Sequence, residues 1–201
     1  MNKENKNICT IGLVVINIAV FIILSLKGNV LDPVFMAYHG ALFKPLVIEG
    51  GEYYRMFTSM FLHFGVEHLI NNMIVLLALG MHLEPHIGKI RFVLIYFLSG
   101  LAGNAVSLMY EIITGEYAVS AGASGAVFGI MGALVIVVIK NKGRIEGIDK
   151  NRMIFMVLLS LYLGFTSSET NNAAHVGGLI MGAVLTGILY RKNGRKTVNE
   201  L

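Results

Sequence analysis

The sequence is poor in charge, in cysteine and in proline, and each shortage excludes something. Of 201 residues only 14% are charged, against about 25% in ordinary soluble domains, while 55% are hydrophobic. The apolar residues are bunched into long runs, so a water-soluble globule is the wrong reference and the bilayer is the expected solvent. A lone cysteine, Cys9, excludes an intrachain disulfide and a cysteine-rich metal centre. The three prolines, Pro33, Pro45 and Pro85, fall outside every long apolar run, so no broken helix is expected within a span. The net charge of +4 is not read as a nucleic-acid signal, because no basic patch interleaved with aromatics occurs. No internal repeat or low-complexity stretch is evident.

What is present is a set of membrane-length runs. A helix needs about 20 apolar residues to cross the hydrocarbon core. Six segments qualify: about Ile8–Leu26, Val66–Leu83, Phe92–Tyr110, Ser124–Ile139, Met153–Phe165 (short, and able to begin near Lys150) and Ala173–Tyr190. The expected fold is an all-α membrane protein, a bundle of six transmembrane helices. Residues 1–7 and 192–201 are expected to be polar tails around one domain at 8–191. The first run is too long for a signal-peptide core and no cleavage site follows it, so it is expected to be retained.

Six spans put both termini on one side, and Lys and Arg decide which. With cytoplasmic termini the inside holds thirteen bases, among them Lys89, Arg91, Lys140, Lys142, Arg144, Lys150, Arg152 and Arg191. The outside holds only Lys27, Lys44 and Arg55. The connection at about 27–65 is therefore expected to be external. With Pro33, Pro45, Gly50-Gly51 and short apolar stretches, it should be structured and lie partly in the outer interface. Gly143–Asp149 reads as a cytoplasmic turn. The layout suits a multi-pass protein of a cell membrane, expected to be a bacterial plasma membrane.

Polar groups inside membrane segments are costly and therefore informative. Four stand out: His68 and Asn72 in the second span, Ser124 opening the fourth and His175 in the sixth. Singly each has a structural explanation, such as close packing for Ser124 or hydrogen bonding to a neighbouring helix for the others. Their spacing suggests more. Ser124 precedes Lys140, His175 precedes Arg191 and His68 precedes Glu84 by 16 residues each. These intervals place all three roughly 24 Å above the inner boundary, at one depth about 6 Å below the outer surface. Asn72 shares the face of His68 one turn deeper. Gly125, Gly129 and Gly132 on the fourth span, and Gly178 and Gly182 on the sixth, are small residues at spacings that let two helices approach.

The same groups carry chemistry. A serine hydroxyl needs an adjacent base to attack an amide, and a neutral imidazole is the usual one. The unpaired N–H groups and dipole at the start of the Ser124 helix suit a developing oxyanion. His68 and Asn72 can add donors. No carboxylate adjoins His175, and Glu169 lies too near the outer surface, so a Ser124–His175 dyad is expected, with Asn172 or a backbone group orienting the imidazole. His82 and His86 are spaced for a shared metal, but only Glu84 is near as a third ligand. No metal or cofactor is expected.

These residues resemble the rhomboid family of intramembrane serine proteases. Gly122-Ala123-Ser124-Gly125 resembles its GxSG motif. Ala174-His175-Val176-Gly177-Gly178, with Gly182, resembles its catalytic-histidine helix. His63 through His68 to Asn72 resembles its H-x₄-H-x₃-N element, Tyr54-Arg55 its Trp-Arg pair, and Glu84 a structural glutamate. The resemblance implies cleavage of transmembrane protein substrates near their outer ends, without metal or cofactor. It also implies an oxyanion held by the Ser124 N–H, His68 and Asn72. Tyr54 departs from the usual Trp. Phe128 stands where the family can carry a hydroxylated aromatic, and it can stack on His175 without donating a hydrogen bond. The competing readings are a catalytically dead scaffold, which should lack Ser124 or His175, and a small transporter, which should show paired, broken helices. The lipid bilayer is the other expected partner. The sequence does not set the oligomeric state.

Overall fold

The computed structural model describes residues 7–145, 148–166 and 170–191. The expected tails (Asn7 excepted, and including Lys3, Lys6, Lys192, Arg195 and Lys196) and Glu169 lie outside the described residues. Six long helices occupy the six expected runs: α1 (Ile8–Lys27), α5 (Gly65–Ile87), α6 (Lys89–Thr114), α7 (Ser124–Lys140), α8 (Lys150–Thr166) and α9 (Asn172–Leu189). Three short helices, α2 (Pro33–Tyr38), α3 (Lys44–Ile48) and α4 (Arg55–Thr58), fold the connection after α1. By length and composition α1, α5, α6 and α9 can cross a membrane. The 17-residue helices α7 and α8 are each about 26 Å long, slightly under the hydrocarbon thickness.

Two expectations need correction. The structure is not wholly helical: β1 (Arg144–Ile145) and β2 (Ile148–Asp149) pair antiparallel inside the expected turn, and Leu42 bridges Ser120. A proline also lies inside a helix, since α5 runs on past Leu83 to Ile87 and includes Pro85. Pro85 sits in the last turn, where its missing N–H costs one ladder bond and interrupts nothing at mid-span. Helix α5 stops at Gly88, whose φ of +83° turns the chain directly into α6.

Glu84 explains how α1 is attached. Its carboxylate accepts from the Cys9 N–H at 3.0 Å, the Thr10 N–H at 2.8 Å and the Thr10 hydroxyl at 2.7 Å. These N–H groups belong to the first turn of α1, which lacks internal partners, so a carboxylate from another helix supplies the cap. Glu84 is thus buried, and it marks the end of α5 for a different reason than the boundary charge that the depth count assumed.

The core is centred on α7, whose residues 125–134 are all buried. Its glycines set the distances. A Cβ on Gly178 would lie 2.0 Å from the Gly125 carbonyl oxygen, and one on Gly182 would lie 2.0 Å from that of Gly129. A Cβ on Gly132 would meet the Leu179 carbonyl at 2.2 Å. Partners advance together along both chains, so α7 and α9 run parallel with their backbones touching. On the other flank, α6 runs antiparallel to α7: a Cβ on Gly129 would meet Ser99, whereas Gly125 lies near Gly103. A stripe of small residues packs helices where no hydrophobic drive separates lipid from protein.

Gly182→Ala is expected to destabilise the protein by about 1–3 kcal/mol or more, because the obstacle is backbone and cannot swing away. Gly187, with nothing within 4 Å of its Cβ position, is the control: Gly187→Ala should be neutral or stabilising by up to about 1 kcal/mol. Equilibrium unfolding in detergent measures both, and equal effects would refute the packing account.

Candidate active site

The segment that leads into Ser124 is fixed by hydrogen bonds from its backbone to three residues. The Ser120 N–H and carbonyl exchange bonds with Leu42, both at 2.8 Å. The Gly122 N–H donates to the Ser59 carbonyl at 2.9 Å. The Ala123 N–H points at Nε2 of His63 at 3.4 Å. His63 must therefore be neutral with a free Nε2 lone pair, and burial, with His68 beside it, pushes its pKa down to about 3. Through this contact His63 steadies the segment before Ser124.

The connection between α1 and α5 is held as a unit by Arg55, which is buried at 3% exposure. Its guanidinium donates to the carbonyls of Ala37 and Ala41 and pairs with Glu52 at 2.6 Å. The Tyr54 hydroxyl also donates to Glu52 at 2.6 Å, and its ring lies under the guanidinium at 5.4 Å. Tyr54 in place of Trp thus keeps an aromatic against Arg55. The Tyr54 hydroxyl and Arg55 together hold Glu52 below the usual carboxylate range. Asn104 of α6 donates to the Met56 carbonyl at 2.7 Å and to the Ser59 hydroxyl at 3.0 Å, docking this unit on the bundle.

Gly122 has a φ of +146°, and a Cβ there would lie 2.9 Å from both Cε1 and Nε2 of His68 and 3.7 Å from the Ser124 hydroxyl oxygen. Only glycine lets the chain pass this close to an imidazole. His68 and Ser124 thus flank one point, from α5 and from the first residue of α7. Ser124 and His68 are partly exposed. The first turn of α7 leaves its leading N–H groups without helical acceptors; the first bond returned into it is from Val127 to the Ala123 carbonyl.

His175, in the first turn of α9, is buried, and its ring stacks on Phe128 with centroids 4.2 Å apart and planes 13° from parallel. Phe128 is one turn after Ser124, so the stack carries the imidazole to the Ser124 end of α7. No hydrogen bond joins Ser124 to His175 among the described residues. Asn72 is buried and donates through Nδ2 to the His68 carbonyl at 2.9 Å, which leaves one amide hydrogen uncommitted. Gly125, Gly178 and Gly182 form the α7–α9 contact described above.

Asn172 does not orient the imidazole. Its Nδ2 donates to the Gly164 carbonyl at 3.1 Å, tying α9 to α8, and Nδ1 of His175 has no partner among the described residues. The neighbour that sequence reasoning missed is Asn171. Its Oδ1 caps the Ala174 N–H at 3.0 Å, while its Nδ2 donates to the hydroxyls of Ser107 at 2.6 Å and Ser120 at 3.1 Å. One side chain therefore joins the start of the His175 helix, α6 and the strand leading to Ser124. An Asn before an Ala-rich helix start is a legible cap signal, but its serine partners are not visible in the sequence. His82 and His86 bond carbonyls of their own helix through Nδ1, both at 2.7 Å.

Residues 50–192 match the family model of the Rhomboid domain. Rhomboid protease GluP of Bacillus subtilis (strain 168) is 32% identical over 180 residues, covering 90% of this chain and 34% of that protein. RHOMBOID-like protein 6, mitochondrial, of Arabidopsis thaliana is 35% identical over 156 residues, 75% of this chain and 48% of that protein. RHOMBOID-like protein 5 of the same plant is 40% identical over 152 residues, again 75% of this chain and 48% of that protein. The chain thus spans about a third to a half of the length of these relatives.

Asn171→Ala should lower stability by about 1–2 kcal/mol through loss of the cap. Asn171→Asp keeps the capping oxygen but not the two donations, and should fall between. Unfolding midpoints in detergent test the order; an Asp variant as weak as Ala would show that the serine contacts carry the effect.

Proposed function

The chain belongs to the rhomboid family, and from that premise we propose that it is an intramembrane serine endopeptidase acting on transmembrane protein substrates near the outer membrane face through a Ser124–His175 dyad. The observation that carries the reading is the gathering of Ser124, His68 and the Phe128-stacked ring of His175 at the N-terminal ends of α5, α7 and α9. The chain is a multi-pass membrane protein. In the proposed topology α7 and α8 cross with the other four long helices. Both termini then lie on the side that carries Lys140, Lys142, Arg144, Lys150 and Arg152, the cytoplasmic side by the excess of bases.

The chemistry follows from the groups present. The neutral imidazole of His175 takes the Ser124 hydroxyl proton as Oγ attacks the scissile carbonyl carbon. The carbonyl electron pair moves onto oxygen. The Ser124 N–H, the His68 ring and the uncommitted Asn72 hydrogen donate to that oxyanion, and the α7 dipole adds positive potential. The imidazolium returns the proton to the leaving amine as the C–N bond breaks. Water, entering from the outer side, then hydrolyses the acyl–enzyme with the same base. In the resting arrangement the dyad hydrogen bond is unmade, and such bonds commonly tighten only with substrate bound. Gly122 keeps His68 beside Ser124, and Phe128 holds the imidazole plane by stacking.

The scaffold reading lacks support, since Ser124 and His175 are both present. Pro85, at the end of α5, does not break a helix at mid-depth as the transporter reading requires.

Reconstituted with a panel of single-span substrates, the wild-type chain should cleave within or beside the span. Ser124→Ala and His175→Ala should each lower the rate by about 10³-fold or more. Cleavage that survives Ser124→Ala would refute the mechanism.

A further inference from the structure

The end of the bundle remote from Ser124 holds a second constellation. A cavity of about 640 Å³ opens between the last turn of α7, the β1–β2 ladder and the start of α8, with Lys142, Arg144, Asp149 and Lys150 in its wall. Residues 140–152 contain five bases against Glu146 and Asp149. Two of the five are engaged: Lys140 donates to the carbonyls of Gly187 at 2.6 Å and Tyr190 at 2.9 Å, and Arg152 pairs with Asp149 at 3.4 Å. Lys142, Arg144 and Lys150 reach no carboxylate at ion-pair distance among the described residues. Three cations that meet no carboxylate at ion-pair distance among the described residues thus share one concave wall with Asp149.

A groove of about 240 Å³ continues along the same two helices. It is walled by Val135 of α7, Ile154, Val157 and Leu158 of α8, and Ile180 and Ala183 of α9, with no polar side chain in its lining. Ile154 lies four residues beyond Lys150, and Val135 four before Ile139, which lines the basic cavity. The two spaces are therefore neighbours along the α7–α8 seam, separated by about one helical turn of 5.4 Å. Large apolar side chains of α8, such as Phe155 at 63% and Leu159 at 42% exposure, face outward beside it.

We propose that this seam is a binding site for one anionic phospholipid, its phosphate held by Lys142, Arg144 and Lys150 and one acyl chain lying in the groove between α7, α8 and α9. The match is one of charge and of shape. Basic pockets between membrane helices suit lipid headgroups. A free anion has no use for the apolar groove. A peptide strand would leave its backbone groups unpaired against a wall without donors or acceptors. An alkyl chain demands nothing of that wall but contact. The proposal rests on reading α7 and α8 as membrane helices and is independent of the peptidase chemistry.

The test is native mass spectrometry of the detergent-solubilised full chain, titrated with phosphatidylglycerol or phosphatidylcholine. Wild type should retain one phosphatidylglycerol in preference to phosphatidylcholine by about tenfold. The triple variant Lys142→Gln/Arg144→Gln/Lys150→Gln should lose that preference, while Lys89→Gln/Arg91→Gln, which removes two bases elsewhere, should keep it. Ala183→Phe, or Val157→Phe if the first does not fold, fills the groove without changing charge and should release the lipid. Ser124→Ala should bind as wild type does, so the outcome is read independently of proteolysis. A triple variant that still prefers phosphatidylglycerol would overturn the proposal. So would a groove-filled variant that still holds the lipid, or displacement by inorganic phosphate at concentrations equal to the lipid.

Discussion

The backbone contact between α7 and α9 is the constraint on which the rest of the structure depends. Where the Gly125 and Gly129 carbonyls press on Gly178 and Gly182, any side chain would push the helices apart. At that separation the first residue of α7 and the first turn of α9 come to the same end of the bundle. Phe128 can then lie flat on His175. In lipid, helices gain little from burying apolar surface against one another, so close van der Waals contact must supply much of the association. Glycine supplies it here while setting the geometry on which a serine–imidazole pair would depend.

The loop into Ser124 is governed by a second requirement. Backbone N–H and C=O groups without partners are costly at membrane depth. The segment before α7 is not helical, so its groups need partners from outside: Leu42, Ser59 and His63 provide them. Those residues belong to a connection that is itself folded around buried Arg55 and docked on α6 by Asn104. The connection between α1 and α5 therefore acts as the scaffold of the segment that leads into Ser124. Asn171 closes the arrangement by tying the His175 helix to Ser120 of that same segment.

Much of this was legible in the sequence. All six long helices begin and end within a few residues of the apolar runs, because hydrocarbon thickness fixes span length and the polar flanks mark it. Ser124, His175, His68 and Asn72 stood out because polar residues in such runs are rare. The stacking of Phe128 on His175 was also foreseen. Misreadings arose where a side chain had several partners within reach. Asn172 precedes His175 by three residues, a separation that favours contact on a helix face, yet Gly164 of α8 takes its amide. Glu84 was counted as a boundary charge in the depth comparison, yet the uncapped start of α1 lay close enough to bury it, in keeping with the structural role that the resemblance implied.

The sequence by itself determined that the chain belongs in a membrane, where its long helices run, and which few residues can do acid–base and nucleophilic chemistry. These follow from hydropathy, length and the scarcity of polar groups, which are properties of the chain read one residue at a time. The tertiary structure alone decided that Gly122 must be glycine because His68 lies against it, and that Asn171 rather than Asn172 links the site. It alone brought Lys142, Arg144 and Lys150 around one cavity above an apolar seam. Those are matters of which groups meet across helices, and a hydrogen-bond donor with several possible acceptors does not declare its choice until packing has removed the others.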